Sequence, residues 1–268
     1  MRLASDSTNV YFAAASAGIE ALARATHGEP FAIGKDWDGT CVDTDEWLVR
    51  QTIPHAVARV MDLLPPSKHS GFRLLLDYLD ENGVAALPPF TEAAWQSSDW
   101  PFPFEDLPPE IALRPSLLPG SSPLLGFWDV MAEEFETNPR HGIPFIPAFL
   151  DFFDQANARF GAQVHWVVVT ARTPGMTEEV LPKVNSLSGS HHPISLLTRD
   201  SQIRLESGAV SRNKQQQIAS FRTPDGGRIR AFLDNDARNL EAVREQPEVL
   251  LFHMRREGNG PPSLVHWP

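Results

Sequence analysis

The chain of 268 residues is long enough to bury a sizeable core, as one large domain or as a core domain with a smaller insert. It is 42% hydrophobic and 21% charged, and no apolar stretch approaches the roughly 18 residues that span a bilayer, so we expect a soluble protein without a membrane partner. A net charge of −11 disfavours sequence-independent binding to the phosphates of nucleic acid. The single cysteine, Cys41, cannot form an intrachain disulfide, which favours a reducing compartment and predicts a cytoplasmic location.

The first predicted element is a helix near the start of the chain. Ser7 or Asn9 can cap it, the helix extends to about Arg24, and Gly28 with Pro30 end it. An alanine-rich run after a basic residue faintly resembles a secretory signal here. Acidic residues interrupt that run, so we expect a helix of the folded protein.

Short apolar runs predict the strands of a sheet. Four such runs alternate with amphipathic patterns that are typical of helices. The predicted strands are residues 31–36, 164–169, 229–233 and 249–252, and the predicted helices are residues 146–160, 176–186, 213–221 and 238–246. This alternation predicts an α/β fold, a Rossmann-like three-layer α/β/α core with a mostly parallel sheet and helices on both faces.

A long segment after the first strand breaks the alternation. Helical patterns over residues 46–64 and 71–82 are followed by nine prolines between residues 88 and 123, and then by a predicted helix over residues 125–136. Proline at that density excludes a regular helix or a central strand. We therefore predict a core made of residues 1–44 and 143–268. Residues 45–142 are predicted to be a mainly helical, proline-rich cap insert.

Polar residues follow each of the first three predicted strands. In an open parallel sheet the ligand site lies beyond the carboxyl ends of the strands, so these residues are expected to meet. A lone Asp-x-Asp-Gly-Thr is often a turn or a helix cap, and it is the joint occurrence that indicates a site. The set, with a lysine that precedes the third of these strands, is Asp36, Asp38, Gly39, Thr40, Thr170, Arg172, Lys214, Asp234, Asn235 and Asp236.

The order of these residues resembles the four motifs of the haloacid dehalogenase (HAD) superfamily of hydrolases. The motifs are DWDGT at residues 36–40, Thr170 after three valines, Lys214, and FLDND at residues 232–236. The resemblance covers the core, about residues 30–44 and 143–255, and implies a phosphatase-type enzyme. It implies that Asp36 attacks as the nucleophile and forms an aspartyl-phosphate. Asp38 then has the role of protonating the leaving group and activating water.

The resemblance also implies a Mg²⁺ cofactor. Asp36, Asp234 and the main-chain carbonyl of Asp38 are implied to hold it, which suits the preference of this ion for oxygen ligands. Asn235 stands where the superfamily often has a second acid. Either Asn235 or Asp236 is expected to support the metal. A zinc site is not expected, because the histidines lack the spacing of ligands. The superfamily's dehalogenases lack an acid at the position of Asp38, so its presence points to phosphoryl transfer.

The remaining candidates concern the substrate phosphate. The resemblance implies that Lys214 offsets the negative charge and that the hydroxyl of Thr170 donates to a phosphoryl oxygen. Backbone amides of the turn that ends at Thr40 are further candidate donors. Arg172 is a candidate phosphate ligand, with a surface ion pair as the open alternative. Lys35 is a second candidate phosphate ligand, with a solvated side chain as the open alternative. The glycine before it predicts a strand end that is bent or partly exposed.

Three functions are compatible with the sequence. The first is a Mg²⁺-dependent phosphohydrolase that cleaves a small phosphate monoester, with the insert as a cap that restricts access. The second is a nucleotide or polynucleotide-end phosphatase, because TARTP at residues 170–174 and LLTRD at residues 196–200 resemble parts of end-processing enzymes. The third is a catalytically weak, HAD-like binding protein. The oligomeric state cannot be predicted from the sequence.

Overall fold

The computed structural model describes residues 5–88, 100–112, 123–137, 142–172, 180–188, 194–199 and 209–268. The chain divides into two units. One comprises Met1–Asp43 with Pro144–Pro268, and the other comprises Thr44–Ile143. Within the described part of the chain, no helix has both the length and the apolar character that a membrane span requires.

A six-stranded sheet forms the centre of the first unit. Its order is β3-β2-β1-β4-β5-β6, and β1 to β5 are parallel while β6 pairs antiparallel with β5. The strands are β1 (Phe31–Lys35), β2 (Val164–Val169), β3 (Ser195–Leu197), β4 (Ile229–Asp234), β5 (Leu250–Arg255) and β6 (Ser263–His266). The four predicted strands and the mostly parallel sheet are confirmed. The sequence did not reveal β3 and β6, which are short and partly exposed and so lack a long apolar run.

Helices separate β2 from β3, β3 from β4 and β4 from β5, whereas several helices follow one another between β1 and β2. In the described residues they are α1 (Ser5–Thr26), α2 (Thr44–Trp47), α3 (Ile53–Asp62), α4 (His69–Asn82), α5 (Pro109–Ala112), α6 (Pro123–Thr137), α7 (Pro147–Phe160), α8 (Val180–Ser188), α9 (Ala209–Ser220) and α10 (Ala237–Val243). The predicted helices are confirmed in position. The first turn predicted for α8, residues 176–179, lies outside the described residues.

The two faces of the sheet pack against different helices. On one face the ring of Phe31 in β1 meets Phe160 of α7 edge-on, with 5.0 Å between their centroids. Side chains alternate along a strand, so the neighbouring Ala32 faces the other way, into an apolar cluster that includes Ile218 of α9 and Leu240 of α10. The sheet therefore has helices on both faces, an arrangement compatible with the predicted Rossmann-like core.

The second unit has its own apolar core. It is mainly helical, and a π-helical turn, Leu48–Thr52, joins α2 to α3. The aromatic rings of Trp100 and Phe102 stack with 5.4 Å between their centroids, and the ring centroids of Phe102 and Phe127 of α6 are 4.6 Å apart. These rings are buried, so they serve packing within the unit. Much of the predicted proline-rich stretch, residues 89–99 and 113–122, lies outside the described residues.

Candidate active site

The centre of the sheet is where the chain reverses its direction of winding. It moves from β1 outward to β2 and β3, and then returns to place β4 on the other side of β1. Ligands of open α/β sheets bind at such a switch point, beyond the carboxyl ends of the strands. Asp36 directly follows β1, and its backbone N–H donates to the carbonyl of Leu233 at 2.8 Å. Asp234 is the last residue of β4, so two carboxylates meet at the switch point.

Lys214 of α9 lies between these two carboxylates. Its Nζ donates to Oδ2 of Asp234 at 2.8 Å and lies 3.0 Å from Oδ1 of Asp36. Lys214 is 1% exposed, Asp234 is 0% exposed and Asp36 is 8% exposed. Low solvent access strengthens charge interactions, so the ammonium group holds the two acids together. The structure thus brings together three of the four motifs that the sequence singled out.

Burial and neighbouring charges shift the pKa values of Asp36 and Lys214. Burial raises the pKa of Asp36, Lys214 opposes that rise, and the charges of Asp234 and Asp38 add to it, so the pKa is about 7. For Lys214 burial alone would lower the pKa. The charges of Asp234 and Asp36 outweigh burial and raise the pKa of Lys214 above its ordinary value. Lys214 therefore stays charged at neutral pH, while Asp36 is poised between its two forms.

Asp234 is fixed by neighbours that the sequence did not single out. Its Oδ1 accepts from the backbone N–H of Asp236 at 2.8 Å, and both of its oxygens accept from the amide of Asn239, at 3.2 and 3.0 Å. The hydroxyl of Ser211 donates to Asn239 Oδ1 at 2.8 Å. Ser211 lies three residues before Lys214 on α9, and that spacing on one helix face is the signal that could have identified it. Asp234 is thus held rigidly by hydrogen bonds.

The second carboxylate of the DWDGT motif has a different partner. Arg172 Nε donates to Oδ2 of Asp38 at 2.7 Å, and Arg172 Nη2 donates to Oδ1 at 2.6 Å. This is a bidentate pair, the strong geometry for a guanidinium and a carboxylate. The Arg172 side chain is only 7% exposed, whereas that of Asp38 is 33% exposed. The expected ion pair of Arg172 is therefore present, but it is not a surface pair, because the Arg172 side chain is buried.

Thr170 stands at the base of that pair. Its backbone N–H donates to the carbonyl of Leu197 in β3 at 3.0 Å, and its Oγ1 accepts from the backbone N–H of Arg172 at 3.2 Å. The Thr170 side chain is buried at the carboxyl end of β2. Because Oγ1 accepts from the amide of Arg172, the hydroxyl hydrogen of Thr170 is directed away from that amide. A donor toward a bound anion is compatible with this arrangement.

The DWDGT segment is a tight turn. The carbonyl of Trp37 accepts from the backbone N–H groups of Thr40, Cys41 and Val42, at 3.4, 2.9 and 3.2 Å. Gly39 has a φ of +70°, which L side chains rarely adopt. This turn directs the chain away from β1 immediately after Asp36.

The residue after Asp234 supports that turn. Thr40 Oγ1 donates to the amide oxygen of Asn235 at 3.3 Å, and a Cβ built on Gly39 would lie 2.2 Å from Asn235 Nδ2. The next residue, Asp236, caps α10 by accepting from the backbone N–H of Arg238 at 2.9 Å, and its carboxylate pairs with the Arg238 side chain. Asn235 and Asp236, both candidates to support a metal, are therefore engaged in holding the loops around Asp36.

Lys35 differs from its expected environment. It is fully buried, and its Nζ has no hydrogen-bond partner among the described residues. The ammonium lies over the rings of Phe149, Phe153 and Trp166, 4.4, 5.1 and 5.0 Å from their centroids. Burial lowers its pKa. The alternative of a solvated side chain is wrong, because this face of β1 is covered by the aromatic residues of α7.

The end of β1 is buried. All five residues of the strand are buried, so the expectation of a partly exposed end is wrong, and the register of β1 against β4 shifts between Ala32 and Ile33, ahead of that end. A Cβ built on Gly34 would lie 3.2 Å from the ring of Phe232 in β4. Glycine at this position therefore makes room for Phe232.

The donor set of the site fits a hard dication in chemistry. Asp36 and Asp234 supply carboxylate oxygens, of which Oδ1 of Asp36 and Oδ2 of Asp234 contact Lys214. No cluster of three or more metal-ligating acids, histidines or cysteines occurs in the described residues. The Lys214 ammonium lies between the two acids, so a metal held by both requires that this group shifts.

Comparison with known proteins adds no relative to this picture. No model of a known protein family matches the chain, and no curated protein matches it.

Proposed function

We propose that this protein is a phosphohydrolase that cleaves a small phosphate monoester through an aspartyl-phosphate. The observation that carries the proposal is the trio of Asp36, Lys214 and Asp234 at the switch point of the sheet. Phosphoryl transfer needs an aligned nucleophile and cations that offset the charge of the phosphoryl oxygens. A carboxylate beside a buried ammonium group supplies both.

The reaction divides between the two acids of the DWDGT turn. An oxygen of Asp36 attacks phosphorus, the bond from phosphorus to the leaving oxygen breaks, and Asp38 gives that oxygen a proton. Asp38 then takes a proton from water as the water attacks the aspartyl-phosphate, which releases inorganic phosphate and regenerates Asp36. Lys214 and the hydroxyl of Thr170 stabilise the phosphoryl oxygens.

The pair of Asp38 with Arg172 links substrate binding to proton transfer. Both oxygens of Asp38 accept from the guanidinium, so the carboxylate is held toward Arg172. A bound phosphate is a stronger competitor for the same guanidinium fork. Movement of Arg172 onto the substrate would release Asp38 for acid catalysis at the moment that the acid is needed.

We assign Mg²⁺ as the cofactor, held by Asp36, by Asp234 and by the main-chain carbonyl of Asp38. When bound it would offset the negative charge of the nucleophile and of the substrate phosphate. Asn235 and Asp236 would act through the loops that they hold. In the same proposal the unit Thr44–Ile143 is a cap that admits only small substrates. The proposed location of the protein is the cytoplasm.

A catalytically weak binding protein is the second candidate. The observation that favours it is the engagement of both Asp38 oxygens by Arg172. Such a protein would bind phosphate esters through Arg172 and Lys214 and turn them over slowly. Turnover measurements separate the two functions.

Hydrolysis of 4-nitrophenyl phosphate tests the proposal. We expect turnover with MgCl₂, loss of turnover with EDTA, and a fall of at least about a thousandfold in kcat for Asp36→Asn, because the nucleophile is removed. Asp154→Asn is the matched control, since Asp154 is exposed on α7, and it should retain activity. Binding of phosphate without turnover would favour the second candidate, and full activity of Asp36→Asn would exclude Asp36 as the nucleophile.

A further inference from the structure

Arg199 is a buried cation beside the candidate active site that the mechanism does not use. It follows β3, is 9% exposed, and its backbone N–H donates to the carbonyl of Arg172 at 2.9 Å. Its Nε donates to the carbonyl of Ala171 at 2.8 Å. Arg199 is therefore tied to the same loop that carries the partner of Asp38.

The guanidinium of Arg199 is only partly satisfied. Arg172 and Lys214 both pair with carboxylates, whereas no carboxylate of the described residues pairs with Arg199. One of its five N–H donors is used by Ala171, and its two terminal nitrogens have no partner in the part of the chain that the structure describes. A buried charge without a counter-ion is costly, so such a group is expected where a ligand supplies the opposite charge.

The position of Arg199 relates it to the reacting phosphate. β3 pairs with β2, β2 pairs with β1, and all three are parallel, so their carboxyl ends lie at one edge of the sheet. Neighbouring strands are about 4.8 Å apart, which places the backbones of β3 and β1 about 10 Å apart. A single small molecule can therefore extend from a phosphate at Asp36 to Arg199.

We propose that Arg199 binds a second anionic group of the substrate, a phosphate or a carboxylate on the leaving group. The inference rests on the proposed phosphatase function and narrows it to small esters that carry two anionic groups. A guanidinium recognises both kinds of anion through the same planar fork. The Nε bond to Ala171 fixes the plane of that fork and leaves the terminal nitrogens for the ligand.

Two matched substrate pairs test the proposal and separate the two anions. Glycerol 3-phosphate and 3-phosphoglycerate differ by a carboxylate, and fructose 6-phosphate and fructose 1,6-bisphosphate differ by a phosphate. We expect the native protein to prefer the doubly anionic member of at least one pair by about tenfold or more in kcat/KM. The ratio within a pair is the readout, because a purely structural role of Arg199 would change both members alike.

Arg199→Gln should bring that ratio close to one, and Arg199→Lys should leave an intermediate ratio because a lysine lacks the planar fork. The lysine variant also serves if the glutamine variant does not fold. Arg222→Gln, at an exposed arginine, is the matched control and should keep the native ratio.

The outcomes separate this inference from the proposed function. A native ratio near one in both pairs, or a ratio that survives in Arg199→Gln, would overturn the role of Arg199 while leaving the phosphatase in place. Absence of any Asp36-dependent turnover would overturn both. Faster turnover of a 3′-phosphorylated oligonucleotide than of either small dianion, with a rate that falls steeply as salt rises, would overturn the small-substrate assignment.

Discussion

Asp36 is held in an environment that disfavours its own charge. It is buried, Asp234 and Asp38 add negative charge nearby, and Lys214 is shared with Asp234. A carboxylate in that setting is more basic than an exposed one and is less well solvated, both of which suit attack on phosphorus. The expected consequence is that Asp36, the nucleophile that we propose, lowers the stability of the folded protein.

Replacement of Asp36 by asparagine should therefore stabilise the metal-free protein at alkaline pH. The pKa of Asp36 is about 7 in the folded state, above its ordinary value, so the folded state binds more protons than the unfolded state between those values. The stability contributed by the protonated acid is lost as the pH rises through 7. We expect Asp36→Asn to be more stable than the native protein by about 1 to 3 kcal/mol at pH 8 and by less at pH 5.

Urea unfolding in EDTA at the two pH values measures this difference. Asp154→Asn, at an exposed acid, should follow the native protein at both. A lower stability of Asp36→Asn at pH 8 would mean that the ion pair with Lys214 outweighs the cost of burial. Addition of MgCl₂ should then stabilise the native protein and not Asp36→Asn, because only the native protein keeps the Asp36 carboxylate that we propose as a ligand.

Lys35 is a second residue whose charge opposes folding. Its ammonium is buried without a hydrogen bond among the described residues, and the aromatic rings of α7 and β2 compensate only in part. Lys35→Met keeps the length of the side chain and removes the charge. We expect the free energy of unfolding to rise by about 1 to 3 kcal/mol at neutral pH, as when other buried ions are replaced by apolar residues.

The pH dependence distinguishes this cause from better packing. Burial lowers the pKa of Lys35, with the nearby Cys41 opposing the shift, so the unfolded state binds more protons just below the ordinary lysine pKa. The stability of the native protein should therefore fall as the pH falls through that window, and the gain of Lys35→Met should shrink toward alkaline pH. Lys68→Met, at an exposed lysine, should change stability by less than about 0.5 kcal/mol. An equal gain at every pH would contradict a charge effect.

Among the elements, the DWDGT turn is the one whose backbone the site depends on. Gly39 combines a positive φ with close approach to the Asn235 amide, where an added Cβ would lie at 2.2 Å. Gly28 has a similar φ of +81° but has nothing within 4 Å of an added Cβ. Substitution of Gly28 therefore tests backbone strain alone, whereas substitution of Gly39 tests strain together with a steric clash.

Gly39→Ala should damage both stability and activity, whereas Gly28→Ala should show only the strain. We expect Gly28→Ala to cost about 1 kcal/mol of unfolding free energy and Gly39→Ala to cost distinctly more. Displacement of the turn should also lower kcat/KM for 4-nitrophenyl phosphate by roughly tenfold or more, because it shifts Asp38 relative to Asp36. Urea unfolding measures the loss of stability and the hydrolysis assay measures the loss of activity. Equal effects of the two substitutions would show that the Asn235 side chain moves aside at little cost.

The elements that the sequence predicts well are those with a local signal. β2 and β4 are buried runs rich in β-branched and aromatic residues, and their carboxyl ends carry the polar residues that meet in the site. The pair of Asp38 with Arg172 spans 134 residues, and no local pattern encodes such a partner. The aromatic surroundings of Lys35 have the same origin, since α7 and β2 meet β1 only in the folded chain. Burial by distant segments is what the sequence alone could not supply.

At the scale of the whole molecule, the first unit is made from two separate parts of the chain. The chain leaves this unit after Asp43 and returns at Pro144. The backbone N–H of Asp43 donates to the carbonyl of Pro144 at 2.9 Å, and Val42 forms an antiparallel bridge with Phe145. The points of exit and return are therefore adjacent, as in the arms of a hairpin, and a very short linker can connect them.

Removal of Thr44–Ile143 should accordingly leave a folded core. We expect a variant in which Asp43 is joined to Pro144 through two glycines to unfold cooperatively, because the sheet and the helices on both of its faces belong to the first unit. All residues of the proposed chemistry lie in that unit, so hydrolysis of 4-nitrophenyl phosphate should stay within about tenfold of the native rate. Circular dichroism and the assay measure the two properties, with Asp36→Asn in the shortened chain as the control for background. A shortened protein that folds but shows no Asp36-dependent activity would mean that the excised unit supplies a group the reaction needs.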